Sequence, residues 1–464
     1  MARQPIKRRW IAALLPLLAV AAAPAPAQVA APVIEAALQS SADHALARFY
    51  AGRDHRAIWI KGNALTPDAA RLVEAIRDAE LDGMTAGTAV AASLEQAMVR
   101  ARSGDPAELA VAELMLSRAL VDYVQALRRP AADIGMNYGD AAVVASPPSL
   151  PEILDAAANA PSLARHVEEV SQVNLVYAEL RKAFAAWRSR SNAPVLKAAG
   201  VTGFGETPPD LERLFRLNLD RARALPLSRS GRYILVDAAA QRLWMYEDGV
   251  ARDSMKVIVG KPGHPTPMIA SMIHSAVLNP YWNVPPDLVR DRVAPKVLDQ
   301  GIGYLKTANY EVLSDWSDQA QAVDPAGIDW RAIAAGEVEL RVRQRPGAGN
   351  SMGIVKFPFE NRFGVYLHDT PEKELFAKAE RNLSSGCVRL EDAPRLARWL
   401  LGSEPRTHSD APEQVIALAK PVPVYITYLT LAVDGDRLAF RNDPYRRDAE
   451  PLRQFASNRL AARD

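Results

Sequence analysis

The 464-residue sequence holds a single cysteine, Cys387, in the run Leu383-Ser384-Ser385-Gly386-Cys387-Val388-Arg389-Leu390. His368 stands nineteen positions earlier, in Gly364-Val-Tyr-Leu-His-Asp-Thr-Pro371. A thiol attacks a carbonyl as its thiolate, and a histidine within hydrogen-bond reach can generate that species by taking the proton. Gly386 permits a tight backbone that aims successive N–H groups at a developing oxyanion. If Val388 is extended, Arg389 shares a face with Cys387 and can hold an anionic group of a substrate there. The same residues have a plainer reading. A lone cysteine is often a small buried hydrophobe, and a lone histidine a satisfied core or surface residue. Types and spacing alone leave both readings open.

The elements that must position these residues are legible in outline. From Arg232 the sequence is β-rich: Arg232–Asp237, Gln241–Tyr246, Val250–Val259, Ile269–Leu278 and Pro423–Leu429 carry strand patterns, and His368 ends another. Glu247-Asp248-Gly249 and Asp434-Gly435 supply turns. Short strands of this kind form a sandwich or a barrel. Residues 285–343 interrupt them with proline-rich, partly helical sequence, an insertion of a length that is often a lid. Residues 28–228 read as mostly helical. Thr66-Pro67-Asp68 starts one helix, whose Leu72, Val73, Ile76 and Ala79 recur at helical spacing before Gly83. Asp105-Pro106-Ala107-Glu108 starts a second. Residues 139–151 read as a loop, and further helices are expected near 175–187 and 209–222.

Composition narrows the function. Hydrophobic residues are 49% and charged residues 24%, which excludes a disordered chain, a collagen-like fibre and a multi-span membrane protein. One cysteine excludes an intramolecular disulfide. The segment before Gln28 has a basic start, an apolar run from Trp10 to Ala23 and the small-x-small run Ala25-Pro26-Ala27, the layout of a secretory signal peptide. An apolar run this short is below the span of a bilayer, so an uncleaved anchor ranks second. Removing residues 1–27 takes four basic residues, Arg3, Lys7, Arg8 and Arg9, and no acids, which turns the net charge from +2 to −2. Nothing then calls for a nucleic-acid partner. The histidines besides His368, including His264 and His274, form no H-E-x-x-H or H-x-H pattern, so no metal centre is expected.

The run H-D-T-P…S-S-G-C-V-R resembles the signature of the L,D-transpeptidases, whose catalytic domain is of the YkuD type. Tyr233–Asp237, Val259-Gly260-Lys261 with Thr266-Pro267, Asn279–Pro285, Arg343–Asn350 and Val355-Lys-Phe357 are similar to other stretches of that domain. Ala112-Glu113-Leu114 and the Trp59 region resemble the scaffold domain of the YcbB-like branch. The resemblance implies an α+β multidomain chain. A signal peptide (1–27) precedes a helical scaffold (28–228), a β-rich catalytic domain (229–448) with an inserted capping subdomain (285–343), and a tail (449–464). It implies Cys387 as acylated nucleophile and His368 as general base, with the ring held by the backbone carbonyl of Asp369. It implies Gly386 and Cys387 as the oxyanion-hole backbone, and Ser384, Ser385, Arg389, Tyr366 and Trp282 as residues that shape or line the substrate site. The implied substrates are peptidoglycan stem peptides, a tetrapeptide donor and a diaminopimelate acceptor, with no cofactor or metal. A periplasmic location, other cell-wall enzymes as partners and a role as a carbapenem target follow. Residues 188–208 are too few for the separate peptidoglycan-binding domain common in this branch.

Overall fold

The computed structural model describes residues 43–129, 134–144, 146–189, 211–226, 231–405, 410–435 and 437–449, besides residues 32, 36–37 and 451. The leader, nearly all of the stretch 188–208 and most of the tail after 449 lie outside the described residues. No helix among the described residues is long and apolar enough to cross a membrane. The chain divides into two compact units: residues 1–70 with 92–118, and residues 71–91 with 119–464.

The first unit is organised around a buried carboxylate. Glu113 accepts from the backbone N–H of Ile58 at 2.6 Å and of Trp59 at 2.9 Å, and from the hydroxyl of Tyr50 at 2.6 Å. Ser117, one turn along, takes the indole N–H of Trp59 at 3.1 Å. Burial pushes the Glu113 carboxyl up, and the three donors oppose that shift.

In the second unit, eight strands close into a barrel. They are β1 (Arg232–Asp237), β2 (Arg242–Glu247), β3 (Val250–Gly260), β4 (Ile269–Leu278), β5 (Val355–Phe357), β6 (Leu367–His368), β7 (Val388–Leu390) and β8 (Gln414–Thr427). The order around the ring is β5-β6-β7-β3-β2-β1-β8-β4, and β4 closes it by pairing Leu278 and Val277 with Val355 and Lys356 of β5. Asn137–Tyr138 and Asn382–Ser384 add short pairings to β4 and β3. Alternation fills the interior: Ile234, Val236, Leu243, Met245, Val257, Val259, Leu367, Val388, Leu390, Val424 and Ile426 are all buried in one cluster. Pro421 falls in β8 where its register with β4 shifts, between Ala417 and Val422.

The interruption is a separate small subdomain. Its sheet runs Ala322–Val323, Tyr310–Leu313, Arg341–Gln344, Trp282–Val284. Its own core gathers Val289, Val293, Val297, Leu305, Trp330 and Ile333. Antiparallel pairing of Val284 with Val342 brings the two ends of the insertion together, so the barrel can carry it without distortion.

Helices at Ala69–Arg77, Pro106–Arg128, Leu175–Ser189 and Leu211–Arg223 occupy the expected places. Asp105 caps the second by accepting from Ala107 and Glu108. The loop expected over 139–151 is shorter than that. Residues 141–143 form a 3-10 turn, and a helix begins at Leu150. The Ser149 hydroxyl and Glu152 carboxylate form a capping box there, a signal masked by the neighbouring prolines.

Candidate active site

Strands β6 and β7 run parallel, with Leu367 opposite Val388 and His368 opposite Arg389. Residues directly opposite share a face, and so do residues two apart on one strand. Leu367, Val388 and Leu390 therefore point into the barrel core, where all are fully buried. His368, Arg389 and Cys387 take the other face. There they line a cavity of about 570 Å³ shared with Trp282, Pro285 and Met352. A larger groove of about 1300 Å³, lined in part by Asp237, Trp244 and Asn442, has neither cysteine nor histidine in its walls.

His368 is buried, and its Nδ1 lies 2.5 Å from the Asp369 carbonyl oxygen. A carbonyl can only accept, so Nδ1 carries the proton and Nε2 of the neutral ring is left with its lone pair free. Burial, with the charge of Arg389 second, holds the imidazole down to about 4, against the pull of Asp369. Cys387 is half-buried, its Sγ 3.7 Å from the Gly364 carbonyl. Burial pushes its thiol up, while the Tyr366 backbone and Arg389 act the other way. The resting pair is thus neutral thiol and neutral imidazole, because the same dry surroundings penalise both charged forms.

The loop that carries Cys387 is braced from three sides. The Ser384 hydroxyl donates to the Cys387 carbonyl at 2.6 Å and accepts from the Gly386 N–H at 3.2 Å. The buried Thr266 hydroxyl donates to the Gly386 carbonyl at 2.8 Å and accepts from the Gly260 N–H at 2.8 Å. Tyr445 donates to the Gly260 carbonyl at 2.6 Å. Gly386 has φ of +118°, a region that excludes a side chain for backbone reasons although space is open around it. The Asp369 carboxylate, which sequence reasoning had no role for, accepts from Lys373 at 2.7 Å and from the Ile354 N–H at 3.0 Å. It packs so close to Gly353 that a Cβ there would collide with it.

The residues expected to line the site differ in what they offer. Trp282 lines the cavity. Arg389 does so too, but its guanidinium is already in a close ion pair with Glu372. Ser385 accepts from Arg292 of the inserted subdomain at 2.8 Å. Both hydrogen bonds of the Ser384 hydroxyl go to its own loop, and so does the Gly386 N–H, so these two groups shape the loop itself. Tyr366 is placed beside Cys387 by the Val388 N–H, which donates to its carbonyl at 3.0 Å. Burial first, then the nearby Cys387, raises its phenol. Thr266, Tyr445, Glu372 and Arg292 were not legible as site residues. Thr266 and Arg292 stood in stretches singled out from sequence and Glu372 adjoins one, but which group each meets is set by the tertiary structure.

The chain is similar to known proteins over most of its length. Residues 231–426 match the YkuD family, described as the L,D-transpeptidase catalytic domain, and residues 44–184 match the family described as the Scaffold domain. The chain therefore carries an L,D-transpeptidase catalytic domain behind a scaffold domain, the YcbB-like architecture. A Haemophilus influenzae protein named "Putative L,D-transpeptidase" is 29% identical over 421 residues, covering 87% of this chain and 78% of that protein. Among solved structures, an L,D-transpeptidase from Mycobacterium smegmatis is similar at 15% identity and a TM-score of 0.21, covering 42% of this chain and 58% of that one. An Enterococcus faecium L,D-transpeptidase mutant is similar at 12% identity and 0.21, covering 56% and 89%.

Proposed function

We propose that this chain is a peptidoglycan L,D-transpeptidase that joins two stem peptides directly through their third-position diaminopimelate residues. The observation that carries the reading is the shared face of Cys387 and His368, with Nε2 of the histidine left free by the Nδ1 contact to Asp369. In the proposed reaction the Cys387 sulfur attacks the carbonyl of the third stem residue while Nε2 takes the thiol proton. The carbon–nitrogen bond to the fourth residue breaks, and its amine leaves with the proton from His368. The resulting thioester is attacked by the side-chain amine of an acceptor stem. The carbon–sulfur bond breaks, and the proton passes again to Nε2 and on to the thiolate. The Cys387 N–H is directed at the oxyanion. The reading calls for no metal or organic cofactor, and a signal-peptide-like leader supports a periplasmic reaction, with the enzyme either released or held by the leader as an anchor.

The test is mass spectrometry of residues 28–464 with disaccharide-tetrapeptide, beside Cys387→Ala. The expected result is an acyl-enzyme and a dimer linked between third residues, both absent from the variant. Release of tripeptide alone would make water the acceptor, and a stem peptide on a protein amine would make it an anchoring enzyme. An unmodified Cys387 would overturn the cysteine mechanism.

A further inference from the structure

Three arginines line the cavity around Cys387, and they are not equivalent. Arg389 is compensated by Glu372. Arg447 donates to the Thr266 carbonyl at 2.8 Å and lies over the rings of Tyr428 and Tyr445, while its buried Nη1 has no hydrogen-bond partner, so it is held in place against the barrel rather than presented from the insertion. Arg292 is exposed, and among the described residues its hydrogen-bond partner is a neutral one, the Ser385 hydroxyl. No carboxylate of the described residues pairs with it. A guanidinium fork matches a carboxylate through two parallel hydrogen bonds, which a single hydroxyl cannot offer. Ser385 therefore occupies a place that an anionic ligand would take, two residues from the nucleophile.

Asp287 also lines the cavity. The basic group within 4 Å of it is Nδ1 of His264 at 3.9 Å, too far for a hydrogen bond, and its side chain is 44% exposed. Asp287 and Arg292 are five residues apart across the π-helical turn Val289–Val293. Asp287 lies in the short helix Pro286–Leu288 and Arg292 in the π-helical turn that continues it, and π-turns are concentrated at functional sites. Asp287 and Arg292, at the start of the inserted subdomain, thus both line the cavity that holds Cys387, and neither has an oppositely charged group within hydrogen-bond distance among the described residues.

We propose that Asp287 and Arg292 form the acceptor subsite and read a zwitterionic amino-acid centre, a carbon that bears both the attacking amine and a carboxylate. Arg292 binds the carboxylate, displacing Ser385, and Asp287 accepts a hydrogen bond from the amine. The inference rests on the reading that an amine resolves the Cys387 thioester. It assigns the inserted subdomain a part in choosing the acceptor.

The experiment preforms the acyl-enzyme with a tetrapeptide donor. It then supplies a tripeptide acceptor, which cannot donate, with the carboxylate beside its side-chain amine either free or as the carboxamide. Wild-type protein is expected to prefer the free carboxylate by about 30-fold in kcat/KM, since a site built for a charged partner is left unpaired by the amide. Arg292→Ala should bring that ratio to within about threefold of unity, and Arg292→Lys should keep an intermediate preference. Asp287→Asn should raise the acceptor KM about tenfold while the carboxylate preference persists. A wild-type ratio near unity, or a ratio undiminished in Arg292→Ala, overturns the subsite. If the alanine variant does not fold, the wild-type ratio and the lysine variant still decide. Failure of the wild type to form an acyl-enzyme at all overturns the transpeptidase reading instead.

Discussion

A cysteine nucleophile and its base need not rest as an ion pair. In this site burial pushes the Cys387 thiol up and holds the His368 imidazole down to about 4. On the proposed mechanism the charged pair forms as the bond to substrate forms, when the proton crosses from sulfur to Nε2. Two outcomes follow. Acylation should stay level as pH falls through the ordinary histidine range and decline only toward pH 4, where His368 gains a proton and can no longer accept one. A rate that halves near pH 6.5 would contradict the depressed imidazole. Alkylation of Cys387 in the free enzyme, followed with iodoacetamide, should keep rising above pH 8.5 rather than level off near neutrality. His368→Ala should slow acylation by about 10³-fold, within the range general bases contribute, as read by the rate of acyl-enzyme formation.

At the scale of elements, strand pairing sets direction and a set of side-chain braces sets position. Parallel pairing of β6 with β7 puts His368 and Cys387 on one face, but neither strand is longer than three residues. The cysteine loop is held instead by Ser384 from within and by Thr266 from the β3–β4 connection. Thr266→Val keeps the shape and deletes both hydrogen bonds, leaving the Gly260 N–H and Gly386 carbonyl buried without partners. The expected cost is about 2–4 kcal/mol of stability by denaturant melt and about tenfold or more in acylation rate, because a misplaced loop loses aim. The inserted subdomain can be tested in the same spirit. Joining Val284 to Val342 by a short hairpin turn removes it while keeping the pairing at its base. The ratio of transpeptidation to hydrolysis should fall several-fold, since the lid would both exclude water and seat the amine. An unchanged ratio would make the insertion passive.

At the scale of the whole molecule, the first unit answers to its own physics. Glu113 gathers two backbone N–H groups, Tyr50 and, through Ser117, Trp59 into one buried network. Glu113→Ala strands three donors, and the expected loss is about 3–5 kcal/mol for this unit, read by thermal or denaturant unfolding. Glu113→Gln should lose less, because an amide oxygen still accepts. A melt within 1 kcal/mol of wild type would show that the network is incidental.

The sequence alone marked Cys387 and His368 as the candidate pair, because one cysteine and a histidine in short, dense motifs leave few choices. It determined the β-rich character of residues 232–429, because alternation is a local pattern that burial on one face imposes. It marked residues 285–343 as an interruption, because their period differs from that of the strands around them. What it did not reveal depends on contacts between distant stretches. Closure of the barrel rests on Leu278 meeting Val355, and a pairing partner leaves no trace in either strand's own pattern. The brace of Thr266 on Gly386, the pairing of Arg389 with Glu372 and the reach of Arg292 to Ser385 are of the same kind. Residue type shows what a side chain can do, and only the tertiary structure decides which group it meets and which groups, such as Asp287 and Arg292, are left for a ligand.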